Sequence, residues 1–140
     1  ETLALRMDRI CSNTLAVAQH LKGHAKVGWV NYAGLPDDKY HALQQKYCPR
    51  GAGAVFTFGL KGGYDAGVKA VSSVKLLSHL ANIGDTRSLI IHPASTTHSQ
   101  LNADQLKLAG ATPDVVRLSV GLEDVADIIA DLDQALATAR

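Results

Sequence analysis

The sequence is short of cysteine, of net charge and of long apolar runs, and each shortage excludes a class of protein. Its two cysteines, Cys11 and Cys48, lack the spacing of a disulfide framework or of a zinc site, so we expect a reducing, cytoplasmic setting. Fourteen Lys and Arg are balanced by thirteen Asp and Glu, which predicts no nucleic-acid partner. No apolar run approaches the ~20 residues that span a bilayer, so no membrane association is expected.

The residues that are present suffice for a single domain over 1–140, since 46% of the chain is hydrophobic. Apolar residues at helical spacing from Leu3 to Leu21 predict a long first helix that ends near Gly23. Because Glu1 opens a stretch already in helical register, we expect the chain to be cut from a longer protein.

A second apolar stripe, from Val125 to Leu136, predicts the last helix. The aspartates expected to lie off this stripe are Asp124, Asp127, Asp131 and Asp133.

Four β-prone runs alternate with the predicted helices. The predicted strands are 27–32, 54–60, 88–92 and 115–120, and the predicted helices between them are 36–47, 64–77 and 103–109. This alternation predicts an α/β (α+β) fold with a small mixed, largely antiparallel sheet that is covered by helices.

The run 115–120 separates two kinds of side chain. Val116, Leu118 and Val120 share one face, and Arg117 and Ser119 share the other. An arginine held on a strand is a rigid fork that suits two-point binding of a carboxylate. A surface arginine paired with a neighbouring acid fits the same spacing.

Two further segments are polar. Residues 92–99 contain two histidines and four hydroxyl side chains, which either line a cleft or hydrogen-bond the loop to itself. No third ligand has supporting spacing, so a metal site is not expected. Residues 82–86 have the composition of a turn.

The glycines at 51–53 and 59–63 are not accompanied by the Lys-Ser/Thr of a phosphate-binding P-loop or by the spaced triad of a dinucleotide fold. They are predicted to form turns at strand ends. No arrangement of Ser, His and Asp, or of Cys and His, indicates a catalytic nucleophile.

Five segments together resemble the small C-terminal domain of the Cys/Met-metabolism family of fold-type I pyridoxal-phosphate (PLP) enzymes. They are ETLALRM (1–7), GGYDAG (62–67), NIGDTRSL (82–89), HPASTTH (92–98) and VRLSVGLED (116–124). Within the family, the sequences of residues 81–89 and 92–101 are most similar to the O-acetylhomoserine sulfhydrylase branch.

The resemblance implies that Arg117 binds the α-carboxylate of an amino-acid substrate, that Asn82 stands beside it and completes the carboxylate site, and that Thr97 orients the polar loop. For Asn82 and Thr97 a purely structural role in their loops is the alternative.

In this family the Schiff-base lysine and the other PLP contacts lie in a preceding large domain. Lys61, Lys69 and Lys75 sit in the wrong sequence contexts to replace that lysine. The resemblance therefore implies that the large PLP domain is absent, that this chain holds no catalytic or cofactor-binding residue, and that alone it neither binds PLP nor catalyses.

The implied reaction of the full-length enzyme is γ-replacement, in which sulfide or a thiol replaces the acetate of O-acetyl-L-homoserine to give homocysteine or methionine, with PLP as electron sink. The full-length enzyme is expected to be a homotetramer. The alternatives are a cystathionine γ-synthase or lyase, a methionine γ-lyase, or a stand-alone binding module without catalysis.

Overall fold

The computed structural model describes residues 1–139, in which helices and strands alternate as predicted. The elements are α1 (Leu3–Gly23), β1 (Val27–Asn31), α2 (His41–Tyr47), β2 (Val55–Leu60), α3 (Gly63–Ser73), β3 (Leu89–Ile91), a 3-10 turn (Pro93–Ser95), α4 (Ala103–Leu108), β4 (Val115–Ser119) and α5 (Val125–Thr138). None of the helices in this part of the chain is long and apolar enough to cross a membrane.

The four strands form one sheet in the order β1-β2-β4-β3, and each neighbouring pair is antiparallel. The predicted α/β fold with a largely antiparallel sheet is confirmed. Within the described residues, parallel pairing is limited to an isolated bridge between Ser78 and Leu89. Because β2 and β4 are both interior strands, residues at their centres are held by ladders on two sides.

The core lies between one face of the sheet and the apolar stripes of α1, α3 and α5. The predicted inward face of β2 is confirmed, since Phe56, Phe58 and Leu60 are at most 3% exposed. Burial of each such side chain stabilises the fold by about 1.5–3 kcal/mol. The core therefore packs against one face of the sheet, and the opposite face of β4 can carry polar groups.

The predicted start of the second helix is wrong. Residues 36–40 form turns, and α2 begins at His41. The carboxylate of Asp38 accepts the backbone N–H of Tyr40 at 2.8 Å, and Asp37 pairs with Lys22. The two acids therefore stabilise a turn and a contact with α1 instead of a helix terminus, a competition that short acidic side chains often win.

The predicted end of the third helix is also wrong, because α3 ends at Ser73 and not near Leu77. The carboxylate of Asp131, on α5, accepts the backbone N–H groups of Lys75, Leu76 and Leu77 at 2.8, 2.8 and 3.0 Å. Those N–H groups are thus taken by a distant side chain. Asp131 itself, predicted to lie off the apolar stripe, is only 7% exposed.

Candidate functional site

Arg117 lies at the centre of β4, opposite Thr57 on β2 and Ile91 on β3. Hydrogen-bonded ladders on both sides hold its backbone, so the side chain projects from a rigid base. The side chain is half-buried, whereas Val116 and Leu118 on the other face are fully buried. The predicted separation of these faces is confirmed.

Ser119 shares the face of Arg117 but, unlike Arg117, it is buried. Its exposed fraction is 1%, and its hydroxyl has no hydrogen-bond partner among residues 1–139. Buried hydroxyls are normally hydrogen-bonded.

Among residues 1–139, the guanidinium of Arg117 makes one hydrogen bond, in which Nη2 donates to the backbone carbonyl of Asn82 at 3.3 Å. None of the ion pairs formed by residues 1–139 includes Arg117. An arginine offers five N–H donors, so most of the fork remains for a ligand. The structure therefore brings Asn82 and Arg117 together, and it does not show the paired surface arginine that the spacing also allowed.

The turn that contains Asn82 has an acid of its own, Asp85, which is paired with Arg87. The Asp85 carboxylate accepts from the backbone N–H of Arg87 at 3.0 Å and from its Nη2 at 3.3 Å. The side-chain hydrogen bond from Arg87 is the main cause that lowers the pKa of Asp85 below its usual value. With its charge engaged by Arg87, Asp85 does not neutralise Arg117.

A buried network attaches this turn to the end of β4. Glu123 accepts from the backbone N–H and the hydroxyl of Ser88 at 2.6 and 2.8 Å, and Ser88 Oγ accepts from the N–H of Gly121 at 2.9 Å. Asn13 on α1 donates to the carbonyls of Gly121 and Glu123 at 3.0 and 2.9 Å. Sequence reasoning missed these supports, and the available signal was a polar Asn13 beside an otherwise apolar helical stripe.

The polar loop after β3 is hydrogen-bonded mainly to itself. His92 is fully buried, and its Nε2 donates to the carbonyl of Pro113 at 2.8 Å. Nδ1 of the same ring lies 2.8 Å from the Ser95 hydroxyl. Thr96 donates to the carbonyl of His92 at 2.8 Å. The prediction that the two histidines hydrogen-bond the loop to itself is confirmed for Nδ1 of His92 and for His98, whereas Nε2 of His92 bonds Pro113 outside the loop.

Thr97 is exposed at the tip of this loop. Its hydroxyl lies 2.8 Å from Nδ1 of His98, so its contact is with the next residue and not with Arg117. Its predicted role near Arg117 stays a prediction, as does the carboxylate-binding role of Asn82 and Arg117.

A concavity lies away from these residues. A groove of about 950 Å³ runs between the start of α1, α2 and residues 50–53, with a mainly apolar lining that includes Cys11 and Cys48. Neither Arg117, Asn82 nor Thr97 lines it. Within residues 1–139 no cluster of His, Cys, Asp or Glu is placed to hold a metal ion.

With this geometry in place, comparison with known proteins decides the family. The model of the family described as Cys/Met metabolism PLP-dependent enzyme matches residues 1–137. The chain belongs to this family.

Curated Cys/Met metabolism enzymes match it closely. O-acetyl-L-homoserine sulfhydrylase 1 of Thermus thermophilus is 56% identical over 137 residues, which are 98% of this chain and 32% of the relative. The O-acetyl-L-homoserine sulfhydrylase of Leptospira meyeri is 53% identical, over 97% of this chain and 31% of the relative. The homocysteine synthase of Schizosaccharomyces pombe is 50% identical, over 99% and 32%. The resemblance to the family and to its O-acetylhomoserine branch is confirmed.

A solved structure agrees with these relatives. A Campylobacter jejuni protein assigned as an O-acetylhomoserine (thiol)-lyase, which contains N'-pyridoxyl-lysine-5'-monophosphate, superposes with a TM-score of 0.90 at 42% identity. The match covers 97% of this chain and 32% of that one. The chain thus spans about a third of the length of the Cys/Met metabolism enzymes it matches.

All lysines in this part of the chain are at least partly exposed. Of the glycines predicted to form turns at strand ends, Gly62 lies in the turn after β2, whereas Gly53 (φ 83°) lies in irregular chain before β2 and Gly63 (φ 66°) begins α3. Arg117, which has no acidic partner in residues 1–139, keeps N–H donors for a negatively charged ligand.

Proposed function

We propose that this chain is the substrate-carboxylate-binding domain of a longer PLP-dependent O-acetylhomoserine sulfhydrylase. That enzyme is a transferase that replaces the acetate of O-acetyl-L-homoserine with sulfide or a thiol, giving homocysteine or methionine. The observation that carries the proposal is Arg117, which projects from a rigid strand without a carboxylate partner in residues 1–139. Relatives at 50–56% identity that are named for this chemistry support the choice of branch.

In this proposal the large PLP-binding domain lies in the two-thirds of the relatives' length that the chain does not span. A cytoplasmic location and a homotetrameric assembly belong to the same proposal, and light scattering of the full-length protein tests the assembly. PLP, when bound by the longer protein, supplies the electron sink.

The chain's own contribution is to bind and orient the substrate. Two parallel N–H donors of Arg117 meet both oxygens of the α-carboxylate, an arrangement that fixes direction as well as position. The Asn82 carbonyl accepts from Nη2 and so anchors one side of the fork. An amino acid held in this way presents its side chain to the cofactor in one orientation, which lowers the entropic part of the barrier.

The test uses the full-length gene product loaded with PLP, assayed for homocysteine formed from O-acetyl-L-homoserine and sulfide. Arg117→Ala is expected to raise KM for O-acetyl-L-homoserine by about 100-fold or more, because a charge-assisted pair is lost. Arg117→Lys keeps the charge and loses the fork, so a smaller increase is expected. The control is Arg50→Ala, since the side chain of Arg50 is 83% exposed and lies near Asp8, away from the site.

An unchanged KM in Arg117→Ala contradicts the proposed carboxylate site. Product analysis separates the related reactions, because cystathionine formed with cysteine indicates a cystathionine γ-synthase, and a thiol released from methionine indicates a methionine γ-lyase. A coding frame without a lysine-bearing PLP domain indicates a stand-alone binding module.

A further inference from the structure

Ser119 has a buried hydroxyl that the proposed site does not yet use. It lies two residues beyond Arg117 on β4, and alternation along a strand places both side chains on the same face. Its exposed fraction is 1%, and its Oγ has no hydrogen-bond partner in residues 1–139. A buried hydroxyl without a partner destabilises a fold, so its presence points to a partner in another state of the site.

The neighbours of Ser119 narrow the choice of that partner. The residues directly opposite it are Val55 on β2 and Leu89 on β3, whose side chains neither donate nor accept. The neighbour along β4 on the same face is Arg117, about 6.7 Å away at two strand residues. The arm of an arginine spans that distance, and the guanidinium of Arg117 uses only one of its donors here.

The single bond of Arg117 also leaves its fork poorly held. At 3.3 Å the bond to the Asn82 carbonyl is longer than a typical N–H···O bond. One anchor allows the planar group to rotate about that contact. If the Ser119 hydroxyl accepted a second hydrogen bond, the planar guanidinium of Arg117 would be held at two points. Its other N–H donors would then be left to bind both oxygens of a carboxylate.

We infer that Ser119 is a positioning residue of the carboxylate site, whose Oγ accepts a hydrogen bond from the Arg117 guanidinium when an amino-acid carboxylate is bound. The inference rests on the proposed function only in taking Arg117 as the carboxylate receptor. Ser119 acts through Arg117 and does not itself touch the substrate.

The experiment uses the full-length PLP-loaded enzyme and reads binding from the absorption of the cofactor. The enzyme is titrated with L-norvaline, and in parallel with butylamine, which is the same molecule without its carboxylate. Two variants are compared with the wild type. Ser119→Ala removes the hydroxyl, and Ser119→Cys keeps the size but is a weak acceptor. Ser72→Ala, an exposed hydroxyl bonded within α3, is the matched control.

Both Ser119 variants are expected to bind norvaline about three- to tenfold more weakly, the effect of one hydrogen bond, with butylamine binding unchanged. Their thermal midpoints are not expected to fall, because the hydroxyl has no hydrogen-bond partner among residues 1–139. In an Arg117→Ala background the Ser119→Ala change should have no further effect on norvaline binding, since the two residues act together.

Unchanged norvaline binding in Ser119→Ala overturns the inference, and so does an equal loss for norvaline and butylamine, which would indicate a general structural disturbance. The outcome is separable from the proposed reaction. A wild-type enzyme that makes no homocysteine from O-acetyl-L-homoserine refutes the sulfhydrylase proposal, while the norvaline titration still decides the role of Ser119.

Discussion

Replacement of Asp131 by alanine is expected to destabilise the domain by about 3 kcal/mol, a large part of the roughly 5–15 kcal/mol that holds a domain folded. The carboxylate of Asp131 binds the backbone N–H groups of Lys75, Leu76 and Leu77, and also the amide of Gln134 at 3.0 Å. The bond to Leu77 is buried, so its loss carries a full penalty of about 1.5–3 kcal/mol for a charged acceptor. The bonds to Lys75 and Leu76 are partly solvated, and water replaces part of each.

The effect also depends on pH. Burial alone would raise the pKa of Asp131, but hydrogen bonds from the backbone of Leu77, Lys75 and Leu76 outweigh it, so the pKa lies below the usual value of 3.8. A carboxyl group whose pKa is depressed by folding stabilises the folded state above its unfolded pKa, and loses that contribution as pH falls through the folded pKa. The difference between wild type and Asp131→Asn should therefore be constant near neutral pH and shrink below about pH 4.

The measurement is urea unfolding of the 140-residue chain followed by circular dichroism, at pH 7 and in steps below pH 4. Asp131→Asn keeps one acceptor oxygen and should cost about half as much as Asp131→Ala. Asp127→Ala, an exposed acid on the same helix, is the control and should change the free energy of unfolding by less than about 1 kcal/mol. An Asp131→Ala variant as stable as Asp127→Ala, or a difference that does not shrink in acid, would refute the reasoning.

Three further changes test other contacts by thermal and urea unfolding of the same chain. Gly121→Ala places a methyl group against the backbone carbonyl of Thr86, so the free energy of unfolding is expected to fall by about 1–3 kcal/mol. A variant as stable as the wild type would show that this turn can shift. Asn13→Ala leaves two carbonyls without their donor and should cost about 2 kcal/mol; a neutral effect would mean that water replaces both bonds. Lys26 donates to the carbonyls of Leu136, Ala137 and Ala139 and so caps the end of α5. Lys26→Met should therefore lower the thermal midpoint by a few degrees, which corresponds to about 1 kcal/mol in the free energy of unfolding. An unchanged midpoint would contradict this capping role.

The ends of elements were the least predictable part of the fold. The stripes of α1 and α5 and the alternation in β2 were visible because burial on one face imposes a period on the sequence. The start of α2 depended on where Asp37 and Asp38 find partners, and the end of α3 depended on Asp131. Asp131 lies more than fifty residues further along the chain, and no local pattern announces such a contact.

The candidate site, too, could be predicted only in part from the sequence. Arg117 could be chosen from the sequence because alternation along β4 separates it from the apolar face, and because the motif around it resembles those of a known family. Its approach to the Asn82 carbonyl, the pairing of Asp85 with Arg87 and the burial of Ser119 could not be read from spacing.

By itself the sequence determined the class of fold and the family, and it singled out Arg117 as the candidate for holding a carboxylate, because periodicity and motifs are properties of residues close together in the chain. The tertiary structure alone decided which charges are paired, which hydroxyl is buried without a partner, and which side chain ends a helix. These depend on contacts between segments far apart in the chain, and such contacts exist only once the sheet and its covering helices have packed.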